Sequence, residues 1–451
     1  MTLEPGLGQK FHPDAILSPV RRYIVALVVL AGGVAAGATS YIAYATDREY
    51  TRLIAAGDQA IADGRPYQAL ESYSGAIALR PESMVAHLKR GDTYRERGQL
   101  EAALRDLRRA SALDPTATLP LELLGDTNLA LLRYGRAIER YETCLNLDDR
   151  SARVWYKLGL ARYRDSQPAP ARDALQKAIS LDKGLAEAHL LLGLSFRDLG
   201  DAALARRSLE TAAQLSPALR EPREALAGLF ASLGENARAI DQLEALAALD
   251  PNRPDRHVAL GLAHARARRY EAAVLTLSRA VERFPDETAV YAALGHVWLE
   301  AAETRADPIA LKKAVQALST AASHVDATSD TLTDLGRALI ASNDDAAAER
   351  VLRQALTRLP IQPEAYRYLA AIVIKDGRVQ DARDALVRYA TLVGDEEPVA
   401  AIATQIATYS LRLGESQLAL RWIDRAVDEG GPTPVLTSLK QRAEAAAKAT
   451  P

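Results

Sequence analysis

The stretch from residue 152 to 185, ARVWYKLGLARYRDSQPAPARDALQKAISLDKGL, holds two helical faces within 34 residues. Trp155, Leu158 and Gly159 stand at i, i+3 and i+4, which puts apolar or small residues on one face of a first helix. Ala171, Leu175 and Ala178 stand at i, i+4 and i+7 and do the same for a second. A glycine on one helix and an alanine on the next let the two cross closely. The spacing predicts a unit of helix, turn, helix, turn.

Working outward, the same two small residues recur. Gly57, Gly91, Gly125, Gly159, Gly193, Ala227, Gly261 and Gly295 follow one another at steps of 34, and Ala69, Ala103, Ala137, Ala171, Ala205, Ala239 and Ala273 run in parallel twelve residues later. The two series resume as Gly336, Ala370 and Ala407, paired with Ala314, Ala348, Ala382 and Ala419. Pro81, Pro115, Pro217, Pro251, Pro285 and Pro360 stand where the second helix of a unit should end, since their rings cannot continue it. Steps of 41 (Gly295 to Gly336) and 37 (Ala370 to Ala407) predict insertions near 303–309, between the paired helices of the eighth unit, and near 394–398.

Numbered within the unit, a small residue at position 8, alanine at 20, an aromatic residue or leucine at 24, a small residue at 27 and proline at 32 resemble the tetratricopeptide repeat. The resemblance covers about Tyr50 to Gly430, or eleven units. It implies an all-α, right-handed solenoid of helix-turn-helix units with a concave groove for protein or peptide partners, and it implies no activity of its own. The expected organisation is a tail over 1–22, a membrane span over 23–45, the repeat array over 47–430 and a capping segment over 431–451, with an amphipathic helix from Val435 to Lys448.

Tyr23 to Ala45 is 23 residues without a charge, preceded by Arg21-Arg22 and closed by Asp47-Arg48-Glu49, and about 20 apolar residues cross a bilayer. The expectation is a single-pass signal anchor in a bacterial inner membrane. Ala43-Tyr44-Ala45 offers the competing reading of a cleaved signal and a soluble periplasmic protein, but the run is long for a signal core. Lys10, Arg21 and Arg22 face Arg48, Arg52 and Arg65 across the span, and the two arginines abutting it favour a cytoplasmic amino terminus with an extracytoplasmic array over the reverse topology. Gly33 and Gly37 form a G-x-x-x-G pair through which two such helices could dimerise, although a loosely composed anchor is the plainer reading.

The whole chain has 451 residues, 48% hydrophobic and 5% aromatic, with 56 basic against 58 acidic side chains for a net charge of -2. That balance gives no electrostatic case for nucleic acid. The single cysteine, Cys144, rules out an intramolecular disulfide framework and stands at position 27 as a buried small residue. His87, His189 and His257 share position 4 with Trp155, Tyr291 and Tyr366, which reads as ring packing. His257 and His264 lie seven apart without a carboxylate or thiol to complete a metal shell. Ser180 to Lys183 matches S-x-x-K only where a helix runs out. No catalytic, cofactor or metal residues are expected, and the chain reads as a non-enzyme.

Function should then lie in the groove, which in this family is lined by positions 2, 5, 9 and 12 of the first helix. Position 9 carries Asp58, Asp92 and Asp126, then Leu160 and Leu194, then Gly228, Leu262 and His296. Tyr156, Leu190 and Val258 join at position 5 and Tyr163 at position 12. The acidic stretch suits a basic partner segment, or is a solvated face neutralised by Lys89 and Arg95; the apolar stretch suits buried partner side chains. Asp where the co-chaperone peptide clamp needs Asn argues against that family's ligand. The expected role is a membrane-tethered scaffold for envelope complex assembly, secretion or polysaccharide export. A periplasmic holdase or a non-catalytic subunit of an enzyme complex are the competing roles.

Overall fold

The computed structural model describes residues 19–394 and 399–449. The tail with Lys10, the side chains of Arg21 and Arg22, and residues 395–398 of the second insertion lie outside the described set. All described secondary structure is helical and falls into two compact units, divided after Ser208.

The first unit contains α1 (Pro19–Ala62), α2 (Pro66–Leu79), α3 (Met84–Glu96), α4 (Leu100–Leu113), α5 (Thr118–Ala130), α6 (Tyr134–Leu147), α7 (Ala152–Arg164), α8 (Pro168–Leu181) and α9 (Ala186–Asp198). Helix α10 (Ala202–Leu215) runs through the division. The second unit continues with α11 (Glu221–Ser232), α12 (Asn236–Leu249), α13 (Pro254–Arg266), α14 (Tyr270–Arg283), α15 (Thr288–Arg305), α16 (Pro308–Ala322) and α17 (Ser329–Ala341). It closes with α18 (Asp345–Ala355), α19 (Glu364–Val373), α20 (Val379–Val393), α21 (Ala400–Arg412), α22 (Ser416–Gly430) and α23 (Pro434–Ala449). Within each unit odd-numbered helices pair with the next even-numbered one, as α1 does with α2, α3 with α4 and α15 with α16, and successive pairs stack in chain order. Each unit is thus a stretch of tetratricopeptide-type solenoid.

Packing explains the sequence period. The position-20 alanines from Ala69 to Ala419 are at most 3% exposed, so each sits where two helices leave room for a methyl group and nothing larger. The position-8 glycines meet the large residue at position 24. A Cβ on Gly57 would stand 2.3 Å from the Tyr73 ring, and one on Gly159 2.6 Å from Leu175. Prolines 81, 115, 251 and 285 lie one or two residues beyond the ends of α2, α4, α12 and α14.

A third periodic feature sits at position 15, in the turn between paired helices. Gly98 and Gly200 there have φ of 72° and 82°, and Leu132, Ser166, Arg268 and Asn343 hold the same left-handed conformation. That geometry turns the chain into the second helix and is comfortable only for glycine or, less so, asparagine.

Two features depart from the reading of the sequence. The extra residues of the eighth unit are mostly helical: α15 has 18 residues where α13 has 13, and only Ala306 and Asp307 separate it from α16. Ala301 to Arg305 holds no glycine or proline, which lets α15 simply run on. Secondly, the apolar run does not end in a break at Asp47. One helix of 44 residues, about 66 Å at 1.5 Å per residue, contains both that run and the first helix of the first repeat. Between Ala45 and Gly57 nothing caps or interrupts the helix, and charged residues change its solvent preference without disturbing its backbone. This part of α1 is long and apolar enough to cross a membrane, and its side chains from Tyr23 to Tyr44 are exposed throughout, packing against nothing among the described residues.

Candidate functional site

The three aspartates of the first unit are not free. Asp58 accepts from the Tyr73 hydroxyl at 2.7 Å and from Lys89 Nζ at 2.8 Å. Asp126 repeats the arrangement with Tyr141 at 2.7 Å and Lys157 at 2.6 Å, Lys157 also reaching Glu122 at 2.6 Å. In both, position 9 binds the tyrosine at position 24 of its own unit and the lysine at position 6 of the next. Asp92 differs because those positions are Leu107 and Leu123, and it takes Arg95 at 2.6 Å instead. Burial and the aspartate partners push the Tyr73 and Tyr141 hydroxyls well above the ordinary phenol range, so they remain donors at any working pH. Asp58 and Asp126 tie neighbouring repeats together, Asp92 is paired within its own helix, and the negative charge of the column is offset in place.

The apolar stretch of this unit lies on α7 and α9, which pack together. Tyr156, Leu160, Tyr163, Leu190 and Leu194 are all half-buried, each keeping part of its side chain accessible. The Tyr163 hydroxyl donates to Asp198 at 2.8 Å and fixes that ring at the edge of the patch.

In the second unit, Val258 and Leu262 lie where two clefts meet. One, of about 600 Å³, runs along α11 to α13 with Leu243, Gly228 and Ala231 in its wall. The other, of about 450 Å³, runs from α13 across α15 to α17. Val258, Leu262, Arg266 and Ala289 belong to both, so the two form one trough along successive first helices. Its far end is acidic. His296 Nδ1 stands 2.7 Å from Asp334 and its Nε2 3.5 Å from Glu300, while Asp326 accepts from Thr288 at 2.9 Å and Asp330 from Gln362 at 3.0 Å. The Asp334 hydrogen bond raises the His296 pKa above its ordinary value against the opposing effect of burial, with the charges of Asp334, Glu300 and Asp330 helping. Sequence reasoning reached His296 and stopped. Asp330 occupies groove position 2 of the following unit, a signal hidden by the 41-residue step.

The position-4 rings do more than fill space. His87 Nε2 lies 3.1 Å from the Pro81 carbonyl, His189 Nε2 3.3 Å from that of Lys183, His257 Nε2 3.1 Å from that of Pro251, and Trp155 Nε1 donates to Asp149 at 2.8 Å. Each carbonyl is six residues upstream, in the turn that enters the unit. Since a carbonyl only accepts, each ring nitrogen is the donor. His87 is also held by Asp106 through Nδ1 at 3.1 Å. Cys144 is buried, its Sγ 3.5 Å from the Thr118 carbonyl, and burial pushes its thiol up to about 11. Among the described residues no three His, Cys, Asp or Glu side chains converge as a metal shell would require.

Comparison with known proteins gives one family repeatedly. One tetratricopeptide repeat model matches residues 54–118, 123–186, 190–254 and 333–398, and another matches 232–297. The small glutamine-rich tetratricopeptide repeat-containing protein 2 of Mycosarcoma maydis is 30% identical over 127 residues, 27% of this chain and 36% of the relative. The match therefore spans little more than a third of that relative's length. Similar solved structures include a tetratricopeptide repeat protein from Parabacteroides merdae, at 20% identity and TM-score 0.43 over 55% of this chain and 98% of that one. Yeast Tom70 is similar at 14% identity and TM-score 0.41 over 89% of this chain and 96% of its own.

Proposed function

The chain belongs to the tetratricopeptide repeat family, and we propose that it is a membrane-anchored, non-enzymatic scaffold that holds segments of partner proteins along the first-helix faces of its repeats. The observation carrying this reading is the trough over Val258 and Leu262, an accessible and largely apolar channel built on consecutive first helices. The half-buried patch of Tyr156, Leu160, Tyr163, Leu190 and Leu194 is the corresponding surface of the first unit, and Asp58, Asp92 and Asp126 form a polar margin whose charges are already paired. The exposed apolar part of α1 supports the anchor, with the repeats on the extracytoplasmic side of a bacterial inner membrane and a role in envelope complex assembly, secretion or polysaccharide export. A homodimer through Gly33 and Gly37 fits the same picture, because a Cβ on either would meet nothing within 4 Å among the described residues.

A photo-crosslinking residue at Leu262, in native membranes, should yield adducts with other proteins that the same residue at Leu275, exposed on the second helix α14, does not. Equal yields from both sites would defeat the scaffold reading. Release of the chain by alkaline carbonate would defeat the anchor, and a carboxy-terminal reporter active only in the cytoplasm would reverse the topology.

A further inference from the structure

We propose that the trough of the second unit receives a short partner segment carrying arginine or lysine beside apolar side chains. This deepens the scaffold reading and rests on it. Charge is the argument. Seven carboxylates line the two clefts against two guanidiniums, those of Arg256 and Arg266. Arg256 is already spent on Glu224, with Asp255 at 4.0 Å, and Asp255 is further held by Arg253 at 2.9 Å. The carboxylates of the far end, Glu300, Asp326, Asp330 and Asp334, have Arg266 as the one cationic residue among the lining side chains other than the titratable His296.

Outside the lining, Arg337 lies 3.9 Å from Asp334 but is itself held by Glu303, and the other partners do not exhaust these carboxylates. Thr288 and Gln362 are neutral, and each gives one hydrogen bond to a group that accepts several. An incoming guanidinium or ammonium would add charge-assisted bonds there, stronger than neutral ones. The other cleft carries three carboxylates, of which Glu224 and Asp255 are already paired with Arg256 and Arg253, and offers Leu243, with Val258 and Leu262 at the junction, which fits apolar side chains and disfavours a purely cationic ligand such as a polyamine. The trough crosses four first helices; at about 9 Å per step its length is about 27 Å. About eight extended residues span that distance.

The test pans a random displayed dodecapeptide library on the full-length chain in detergent, and measures the recovered peptides by fluorescence anisotropy against the chain, Glu300→Gln/Asp330→Asn and Leu262→Glu. Both carboxylate changes are near-isosteric at accessible positions, and an unchanged melting temperature confirms their fold. The recovered peptides should be enriched in arginine or lysine next to apolar residues. Their affinity should fall about tenfold in each variant and weaken with added salt. Peptides without a basic bias, or peptides indifferent to both variants, would overturn the inference while leaving the scaffold reading standing. A chain that selects no peptide at all would overturn the scaffold reading as well.

Discussion

A Cβ placed on Gly125 would stand 2.3 Å from Tyr141 Cε1, the ring whose hydroxyl is fixed by Asp126 at 2.7 Å. The ring cannot retreat without giving up that hydrogen bond. Gly125→Ala should therefore destabilise the first unit by about 1–3 kcal/mol, the usual range for overpacking. Gly135→Ala, on α6 with nothing within 4 Å of the new methyl, should stabilise by about 0.5–1 kcal/mol through helix propensity alone. Thermal denaturation of both variants gives the comparison; a loss at Gly135 equal to that at Gly125 would refute the packing account.

Leu132 and Arg268 carry φ of 58° and 57° at the turn position that glycine holds in other units. Leu132 is 66% exposed, so replacing it loses no core contact. Leu132→Gly and Arg268→Gly should each raise stability, by about 0.5–1 kcal/mol after the entropy that glycine adds to the unfolded chain. Chemical denaturation midpoints that fall instead would show that the side chains matter more than the backbone.

Trp155→Phe keeps an aromatic ring at position 4 but removes the donor to the Asp149 carbonyl together with part of the ring that packs on the core. The donor's share of the expected cost is about 1 kcal/mol, the net worth of one hydrogen bond. Trp155→His should recover most of it, since His87, His189 and His257 make the equivalent contact at 3.1–3.3 Å. No recovery in an unfolding titration would mean that the rings serve only to pack.

The pKa of His296 is raised in the folded state, first by its hydrogen bond with Asp334. A group with a raised folded pKa stabilises below its unfolded value, near 6.5, and that contribution disappears as pH rises through the folded value. The stability difference between the chain and His296→Gln should therefore be larger at pH 5.5 than at pH 9. A difference independent of pH, from melting curves across that range, would remove the linkage.

How far the sequence reached depends on what a column of residues can express. Glycine at position 8 and alanine at position 20 were legible because one contact, close helix crossing, demands them in nearly every unit. The turn at position 15 was harder to see because leucine, serine, arginine and asparagine occupy it in several units, where the surrounding helices impose the backbone that glycine would choose. Reading Asp58, Asp92 and Asp126 down one column found Arg95 as the partner of Asp92 but set Lys89 beside Asp92 rather than Asp58, since Lys89 and Lys157 reach back from the next unit. The acidic end of the trough was missed for a different reason: lengthening of α15 shifts the frame, so Asp330 and Asp334 fall out of step. The passage of one helix through Asp47 was not legible because hydropathy marks where solvent preference changes, while only capping or helix-breaking residues mark where a helix stops.

The unbroken passage of α1 from its apolar half into the first repeat makes the orientation of that repeat a matter of counting. Along a continuous helix each residue added after Ala45 turns everything beyond it by about 100° and advances it by about 1.5 Å. One extra alanine would swing the first repeat to another side of the axis, and seven would return it to within about 20° of its starting azimuth. A tether made of loose chain would be blind to such arithmetic. The first repeat has a handle with a phase, and its bearing toward anything fixed to the apolar half of α1 should oscillate with the number of residues inserted.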